Sequence, residues 1–375
     1  LTPNISLINY KKINKKIIKN KLKKFKKINF LVEYPLLETL TNKYQYSYSK
    51  ADIKKFKKNS IIRLIGMGGS ILGAETIYQF LNHKIKKKFN FINNLKSNIN
   101  LKSKYKNINI VISKSGNTLE TISNLNFVLQ KQKKNKNIFI TEKKNNHLRI
   151  IANKLKAEIF EHKNFIGGRY SVLSEVGMFP AALMNLNIAK FKNLKKLMRN
   201  KLFLKSLINS VAHIYTLNQK GIRNSIMLNY DSRLNDLCFW YQQLVGESLG
   251  KKGKGILPVV SSCPKDHHSL LQLYLDGPKD KFYTFFSSIS KSTKKEVKSI
   301  ISSQCEATKN IFTKKKIPYR HFVFRRNDES ELGNIFTFFV LETILLSKLM
   351  KVNPYDQPAV EDVKNETKKF LRQRR

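Results

Sequence analysis

The stretch SIIRLIGMGGSILG, residues 60–73, decides the fold that the sequence predicts. A short β-branched run, residues 60–65, leads directly into a glycine-rich turn and then into a helical pattern. The same order recurs at residues 107–112 (NINIVI), which precede SKSGNTLETI, and at residues 138–141 (IFIT), which precede a helical segment near 148–155. Apolar β-branched runs that alternate with helical patterns are typical of a parallel sheet with crossover helices. The fold class is therefore predicted to be α/β.

The second half of the chain repeats this alternation more weakly. Strands are expected at 225–229, 256–260 and 281–287, with helices at about 232–245, 292–310 and 331–351. We therefore expect two doubly wound parallel sheets in three-layer α/β/α arrangements, separated in the lysine-rich helical region 189–224. The predicted division is a helical N-terminal arm at 1–54, α/β domains at 55–200 and 201–352, and a C-terminal helical tail at 353–375. Apolar residues spaced by three and four predict the arm helix: Ile13, Ile17, Ile18, Leu22, Phe25 and Ile28.

Composition narrows the class of protein. The chain has 375 residues, of which 41% are hydrophobic, and that is enough for two packed cores. The net charge of +47 comes from lysines spread along the chain among many asparagines and isoleucines, a pattern that favours a solvated surface over a polyanion site. An odd cysteine count without C-x-x-C argues against a disulfide framework or a zinc site, and favours a reducing cytoplasm.

One apolar stretch, residues 335–346, raises the question of a membrane span. It contains Glu342 and is too short to cross a bilayer comfortably, so a buried core helix is predicted. The basic N-terminus lacks the apolar run of a signal peptide, and none is expected.

Two loops that follow predicted strands suggest an anion site at the carboxyl edge of the first sheet. In the first loop, glycines around Gly69 and Ser70 would let backbone N–H groups approach a ligand closely, although a tight strand–helix turn explains this loop equally well. The second loop crowds hydroxyl and amide side chains before a helix and adds a lysine, which N-capping alone does not explain. Its polar residues are Ser113, Lys114, Ser115, Asn117, Thr118 and Thr121. Neither loop contains a Walker motif, so nucleotide hydrolysis is not expected.

With these two loops the sequence resembles sugar isomerase (SIS) domains. Six motifs that occur in the same order as in the phosphoglucose isomerase family make the sequence similar to that family. They are GMGGSILG at 66–73, SKSGNTLET at 113–121, GGRYSVLSEVG at 167–177, YQQLVGESLGKKGKG at 241–255, DHHSLLQ at 266–272 and NPYDQPAVEDVK at 353–364. The resemblance covers about residues 55–370. It implies two SIS-type subdomains and an aldose–ketose isomerase for glucose 6-phosphate and fructose 6-phosphate that uses no metal and no cofactor.

The resemblance also implies roles for individual residues. Glu247, in a glycine-flanked loop after an apolar helix, would be the base that moves a proton between C2 and C1, and Arg169 would face the enediol or enediolate intermediate. His268 and Lys364 would serve ring opening, with His268 preferred to His267 because the register D-x-H-S-x-x-Q keeps its neighbours in step. The implied substrate-binding residues are Gly69, Ser70, Ser113, Lys114, Ser115, Thr118, Thr121, Gln243 and Gln357. Family members are usually homodimers, and His268 would cross from the partner subunit.

The sequence departs from the family at several positions and leaves alternative functions open. The chain is short for the family, and Ala359 stands where a glycine is common. A dual phosphoglucose and phosphomannose isomerase is the nearest alternative. A non-catalytic sugar-phosphate sensor is a second alternative, and it would be expected to lack the base or the tail lysine. A nucleic-acid-binding protein is a third, but the sequence contains no recognisable nucleic-acid-binding motif.

Overall fold

Two five-stranded sheets organise the described part of the chain. The computed structural model describes residues 4–8, 34–58, 61–95, 107–132, 135–289 and 295–374. The strands, in chain order, are β1 (Asn4–Ile8), β2 (Ile61–Gly66), β3 (Lys88–Ile92), β4 (Asn107–Ile112), β5 (Lys136–Thr141), β6 (Glu158–Glu161), β7 (Asn224–Asn229), β8 (Leu257–Ser262), β9 (Lys281–Ser288) and β10 (Tyr319–Phe324). The helices are α1 (Lys50–Phe56), α2 (Leu72–Phe80), α3 (Leu119–Lys131), α4 (His147–Lys154), α5 (Glu175–Leu183), α6 (Leu194–Arg199), α7 (Lys201–Gln219), α8 (Asn235–Leu249), α9 (Leu271–Asp276), α10 (Lys295–Lys314), α11 (Glu329–Met350) and α12 (Pro358–Gln373).

The two sheets share one order over their first four strands and differ in the fifth. The first sheet is parallel throughout and runs β3-β2-β4-β5-β6, while the second runs β8-β7-β9-β10-β1. Within the second sheet only the edge strand β1 is antiparallel, pairing Asn4 with Val323. Helices pack on both faces of a parallel sheet, and this is why every residue of the central strand β4 is buried.

Apolar side chains cover both faces of each sheet. The largest core lies between the sheets and joins Leu64 and Ile110 of the first sheet to Phe282 and Phe322 of the second. A second core covers the far face of the first sheet, and a third covers the far face of the second. The three-layer α/β/α prediction is therefore confirmed for both units, which meet through shared helices such as α2 packed on α8.

Most of the predicted strands and helices lie where the sequence placed them, but the helical arm is wrong at its start. Residues 4–8, assigned to a helical arm, form β1 because their backbone pairs with the edge of β10. The predicted arm helix around residues 13–28 lies outside the described residues. The strands β3, β6 and β10 were not predicted. Each sheet falls within one predicted domain apart from β1, and the domain boundaries themselves remain a prediction.

Helix α11 contains the apolar stretch 335–346. By length and composition it is able to cross a membrane, but 94% of its most apolar window is buried inside the protein. Its Glu342 is paired with Arg320, and both side chains are fully buried. The prediction of a core helix is confirmed.

Candidate active site

The glycine-rich turn after β2 brings three segments together. A 3₁₀ turn at Gly68–Ser70 joins β2 to α2, and Ser70 lies half-buried in it. A Cβ on Gly69 would lie 2.3 Å from the backbone of Gly168, and a Cβ on Gly68 would lie 2.7 Å from the side-chain nitrogen of Gln243. Gly68 also has a φ of +52°, which favours glycine. Glycine is therefore required at Gly68 and Gly69 because neighbouring segments pack too closely for a side chain, and at Gly68 also because of the conformation of the turn.

The buried Arg169 links this turn to the C-terminal tail. It belongs to a 3₁₀ segment, Gly168–Leu173, and only 3% of its side chain is exposed. Its Nη2 donates to the carbonyl oxygens of Pro354 and Asp356, each at 2.9 Å. Because these bonds fix the plane of the guanidinium, Nη1 is directed at two other acceptors, Gln357 Oε1 at 3.0 Å and Glu247 Oε2 at 2.5 Å.

The carboxylate of Glu247 is oriented by two donors. Glu247 lies in the last turn of α8, not in the loop that the sequence predicted, since the helix continues to Leu249 before Gly250 ends it. Its Oε1 accepts a hydrogen bond from Gln243 Nε2 at 2.9 Å, one helical turn earlier, and its Oε2 pairs with Arg169. The side chain remains 35% exposed. The carboxylate is thus held in one orientation while it stays accessible.

Lys251 is a structural member of the site that sequence reasoning did not single out. Its Nζ donates to the carbonyl oxygens of Glu247, Ser248 and Asn353, and it forms an ion pair with Asp356 at 3.3 Å. A cation at a helix C-terminus satisfies the final carbonyl groups. The signal was present in the motif around Gly250, where a lysine follows the helix end.

The hydroxyl-rich loop lies beside the glycine turn, because β2 and β4 are neighbours and Gly66 pairs with Ile112. Ser113 Oγ and Thr118 Oγ1 lie 2.8 Å apart, and Ser115 is exposed. Thr118 precedes α3 without capping it through its side chain, so its hydroxyl and the helix N-terminus face the loop together. The hydroxyl of Thr121 is buried and has no hydrogen-bond partner within the described ranges.

Lys114 does not face the loop as the sequence suggested. Its Nζ donates to the carbonyl oxygen of Asn164 at 2.8 Å and lies 3.5 Å from Glu142. The remaining donors of the loop are neutral hydroxyls, backbone N–H groups and a helix N-terminus, which together suit an anion.

A family model described as phosphoglucose isomerase matches residues 50–256 of the chain. A glucose-6-phosphate isomerase from Methanocaldococcus jannaschii is 33% identical over 342 residues, which cover 83% of this chain and 84% of the relative. The chain belongs to the phosphoglucose isomerase family. It is accordingly an aldose–ketose isomerase, as the motifs predicted.

Other family members extend the likeness. A glucose-6-phosphate isomerase from Mycoplasmopsis synoviae is 29% identical, with 85% of each chain covered. Among solved structures, a hypothetical protein from Thermus thermophilus has a TM-score of 0.79 at 20% identity, covering 95% of this chain and 94% of its own. A glucose-6-phosphate isomerase from Chlamydia trachomatis has a TM-score of 0.73 at 18% identity, covering 86% and 72% respectively. At these identities the two structures support the fold.

Two residues that the family resemblance assigns to ring opening do not reach Glu247 within this chain. His268 ends an exposed 3₁₀ turn and makes no hydrogen bond with the described residues, whereas the neighbouring His267 contacts the Tyr230 hydroxyl at 2.7 Å. Lys364 lies on α12, where it pairs with Glu361 at 2.6 Å and is 54% exposed. The structure therefore assembles Arg169, Gln243, Glu247 and Gln357, and leaves His268 and Lys364 on the surface.

Proposed function

We propose that this chain interconverts glucose 6-phosphate and fructose 6-phosphate, with Glu247 as the base. The observation that supports this most strongly is the accessible Glu247 carboxylate, held between Arg169 and Gln243 beside two ligand-accepting turns. In the open-chain aldose, Glu247 would take the C2 proton, and the electrons of that C–H bond would form the C1–C2 double bond and leave a cis-enediolate with negative charge on the C1 oxygen. The proton of the C2 hydroxyl would pass to the C1 oxygen, and return of the proton from Glu247 to C1 as the C2 carbonyl forms would give the ketose.

Arg169 would stabilise the intermediate. Negative charge develops on the C1 and C2 oxygens as the proton leaves carbon, and a fixed cation beside them lowers the barrier. Backbone carbonyls hold Nη2, and Nη1 donates to Glu247 and Gln357, so a substrate oxygen would reach Nη1 by replacing one of these two side-chain acceptors while the guanidinium stays in place. Gln357, which accepts from the same nitrogen, would contact the neighbouring hydroxyl.

The hydroxyl loop would bind the phosphate of the substrate. Ser113, Ser115 and Thr118 surround the N-terminus of α3, and Ser70 lies on the adjacent turn, so that a dianion would be met by donors from two strand ends. The unpartnered hydroxyl of Thr121 is fully buried, so it would join these donors only if the loop rearranged on binding. Lys114 would join them only by exchanging its bond to Asn164 for the ligand.

Ring opening would require acid and base groups that do not lie beside Glu247 in this structure. His268 is exposed on its turn, which suits contribution to the site of a second copy in a homodimer. Lys364 lies two helical turns beyond Gln357 on α12, so movement of α12 would be needed to bring its ammonium group to the sugar. All three cysteines are free, which is compatible with a cytoplasmic enzyme.

The decisive experiment is a coupled assay of the wild type and Glu247→Gln with glucose 6-phosphate, fructose 6-phosphate and mannose 6-phosphate. We expect turnover of the first two substrates, none of the third, and loss of isomerisation by at least about 10²–10⁴-fold in the variant. In D₂O, the wild type should exchange solvent deuterium into C1 and C2, and Glu247→Gln should not. Near-native turnover by the variant would remove Glu247 as the base, and turnover of mannose 6-phosphate would favour the dual isomerase.

A further inference from the structure

The tail segment at residues 353–357 reaches the candidate active site without belonging to a helix or a strand. It supplies the amide of Gln357 and the carbonyl oxygens of Pro354 and Asp356, all of which accept hydrogen bonds from the Arg169 guanidinium. A segment outside regular structure has no repeating backbone partner, so other contacts must keep it in place. The position of the guanidinium therefore depends on what holds this segment to the rest of the protein.

Lys251 ties the tail segment to the end of helix α8. Its ammonium group donates to the carbonyl oxygens of Glu247 and Ser248, at 2.8 and 3.0 Å, and to that of Asn353 at 2.6 Å. The last four carbonyl groups of a helix have no partner within it, so a donor from beyond the helix satisfies two of them here. Only 10% of the lysine side chain is exposed, which shields these bonds from water. One ammonium group thus joins the helix that carries the candidate base to the tail.

Asp356 is held from two sides. Its carboxylate pairs with Lys251 at 3.3 Å, while its backbone carbonyl oxygen accepts from Arg169 Nη2 at 2.9 Å. The carboxylate also accepts from Asn353 Nδ2 at 2.9 Å, and Asn353 Oδ1 accepts from the Tyr355 amide at 3.0 Å, so the segment is braced internally. A shift of this segment away from Lys251 would therefore also move an acceptor of the guanidinium.

Tyr170 makes a second contact between the same two elements. Its hydroxyl lies 2.8 Å from Ser248 Oγ and donates to the carbonyl oxygen of Pro354 at 3.3 Å. This neutral contact does not depend on Lys251. Replacement of the lysine should therefore displace the tail segment rather than release it, and the protein should still fold.

We propose that Lys251 is a positioning residue, which clamps residues 353–357 to α8 and thereby sets the Arg169 guanidinium for the reaction. Lys251 acts through the arginine and does not itself contact the reacting atoms. A displacement of about 1 Å in a group that stabilises the intermediate can cost about 10²-fold in rate. This kinetic consequence rests on the proposed function, whereas the clamp itself does not.

The first test compares Lys251→Met with Lys254→Met. The matched control removes a lysine three residues away, whose Nζ donates to the carbonyl oxygen of Met350 at 2.9 Å, outside the tail segment. Well below the melting temperature of each variant, we expect Lys251→Met to lower kcat by about 10–100-fold, with KM changed by a smaller factor. Lys254→Met should keep kcat within about twofold of the wild type. Equal kcat values in the two variants would overturn the positioning role.

Asp356→Asn tests the clamp from the other side and leaves the end of α8 intact. The side chain is 51% exposed, so folding should persist. Because half-exposed ion pairs are weak, we expect kcat to fall by only about two- to fivefold. Asp362→Asn, an exposed substitution on α12, is the matched control and should behave like the wild type. An unchanged kcat in Asp356→Asn would overturn the part assigned to Asp356.

A double variant shows whether Lys251 acts through Arg169. In an Arg169→Lys background, Lys251→Met should lower kcat much less than in the wild type, because the guanidinium that it positions is already absent. A residue that only stabilises the fold would give the same loss in both backgrounds, and that result would overturn the proposal.

Hydrogen exchange followed by mass spectrometry reports on the clamp without any turnover. The amides of residues 353–357 should exchange faster in Lys251→Met than in Lys254→Met, and equal exchange would overturn the clamp. If the wild type does not isomerise the sugar phosphates and this difference in exchange is nevertheless found, the proposed function fails and the clamp stands.

Discussion

Replacement of Arg169 by lysine tests whether the positive charge alone is sufficient or whether the arrangement of donors on the guanidinium is required. The guanidinium serves four acceptor groups: the carbonyl oxygens of Pro354 and Asp356, Gln357 Oε1 and Glu247 Oε2. Lysine keeps the positive charge but concentrates it at one atom with three donors. A lysine ammonium cannot reach the two tail carbonyl oxygens and, at the same time, the oxygens of Glu247 and Gln357. At least one buried acceptor is therefore left unpaired, which costs about 1–3 kcal/mol of stability.

The effect on rate follows from the same geometry. If the ammonium remains with the tail carbonyls, the intermediate loses the donor that Nη1 would supply. Loss of one such donor commonly costs about 10²–10³ in kcat, or about 2.7–4 kcal/mol. We expect Arg169→Lys to lower kcat by that factor in the coupled assay, with KM changed by a smaller factor and the melting temperature reduced.

Arg63→Lys is the matched control. Arg63 is also buried, at 2% exposure, and its Nη1 donates to Asn109 and Gln132 at 2.8 and 3.0 Å, but it lies near the start of β2 rather than at the carboxyl edge. This substitution should lower the melting temperature and leave kcat unchanged. A kcat for Arg169→Lys within threefold of the wild type, roughly 0.7 kcal/mol, would refute the electrostatic role of Arg169.

Three further predictions test the rest of the molecule. Gly69→Ala should reduce kcat and stability together, since its Cβ would lie 2.3 Å from the Gly168 backbone and force the turn away from Arg169; a fully active alanine variant would contradict that packing. Ser115→Ala should raise KM several-fold with little change in kcat, because the exposed hydroxyl is proposed to contact phosphate; an unchanged KM would count against the phosphate loop. Lys192 is 5% exposed, and burial lowers its pKa to about 7 from 10.5. Because the unfolded chain then binds more protons than the folded chain between these values, stability should rise with pH across this range, by about 2 kcal/mol from pH 7 to 9 relative to Lys192→Met. Denaturant unfolding at both pH values measures this difference, and parallel pH dependences in the two proteins would show that Lys192 is not buried as a neutral group.

The sequence predicts those parts of the site that depend on local pattern. Glycine and hydroxyl side chains that follow β-branched runs mark the two turns, because the carboxyl ends of neighbouring parallel strands meet at one edge. The strand β1 was not predictable in this way, since its partner Val323 lies more than three hundred residues away and pairing there is set by the edge of β10. Local pattern carries no information about such a partner.

The position of Glu247 shows a second limit. The glycines around it suggested a loop, yet the helix persists past Gly246 and ends only after Leu249, where the Lys251 ammonium satisfies carbonyl groups at the C-terminus. The same ammonium also donates to the carbonyl oxygen of Asn353 in the tail, a tertiary contact that local propensity does not encode. The exposure of Lys364 is a similar case, because helical periodicity predicts α12 and cannot say whether the helix packs against another chain.

The two sheets share one order over four strands, but the candidate site is not symmetric between them. Arg169 follows the first sheet, Glu247 follows β7 of the second, and Gln357 comes from the tail, so the ion pair joins residues 78 apart in sequence and the amide contact joins residues 188 apart. No half of the chain contains a complete set of these groups. Glu247, Arg169 and Gln357 therefore come into contact only when both sheets and the tail have packed together. Since the Glu247 carboxylate needs that packing to be oriented, the acid–base chemistry proposed for it depends on the assembly of the whole chain rather than on either α/β unit alone.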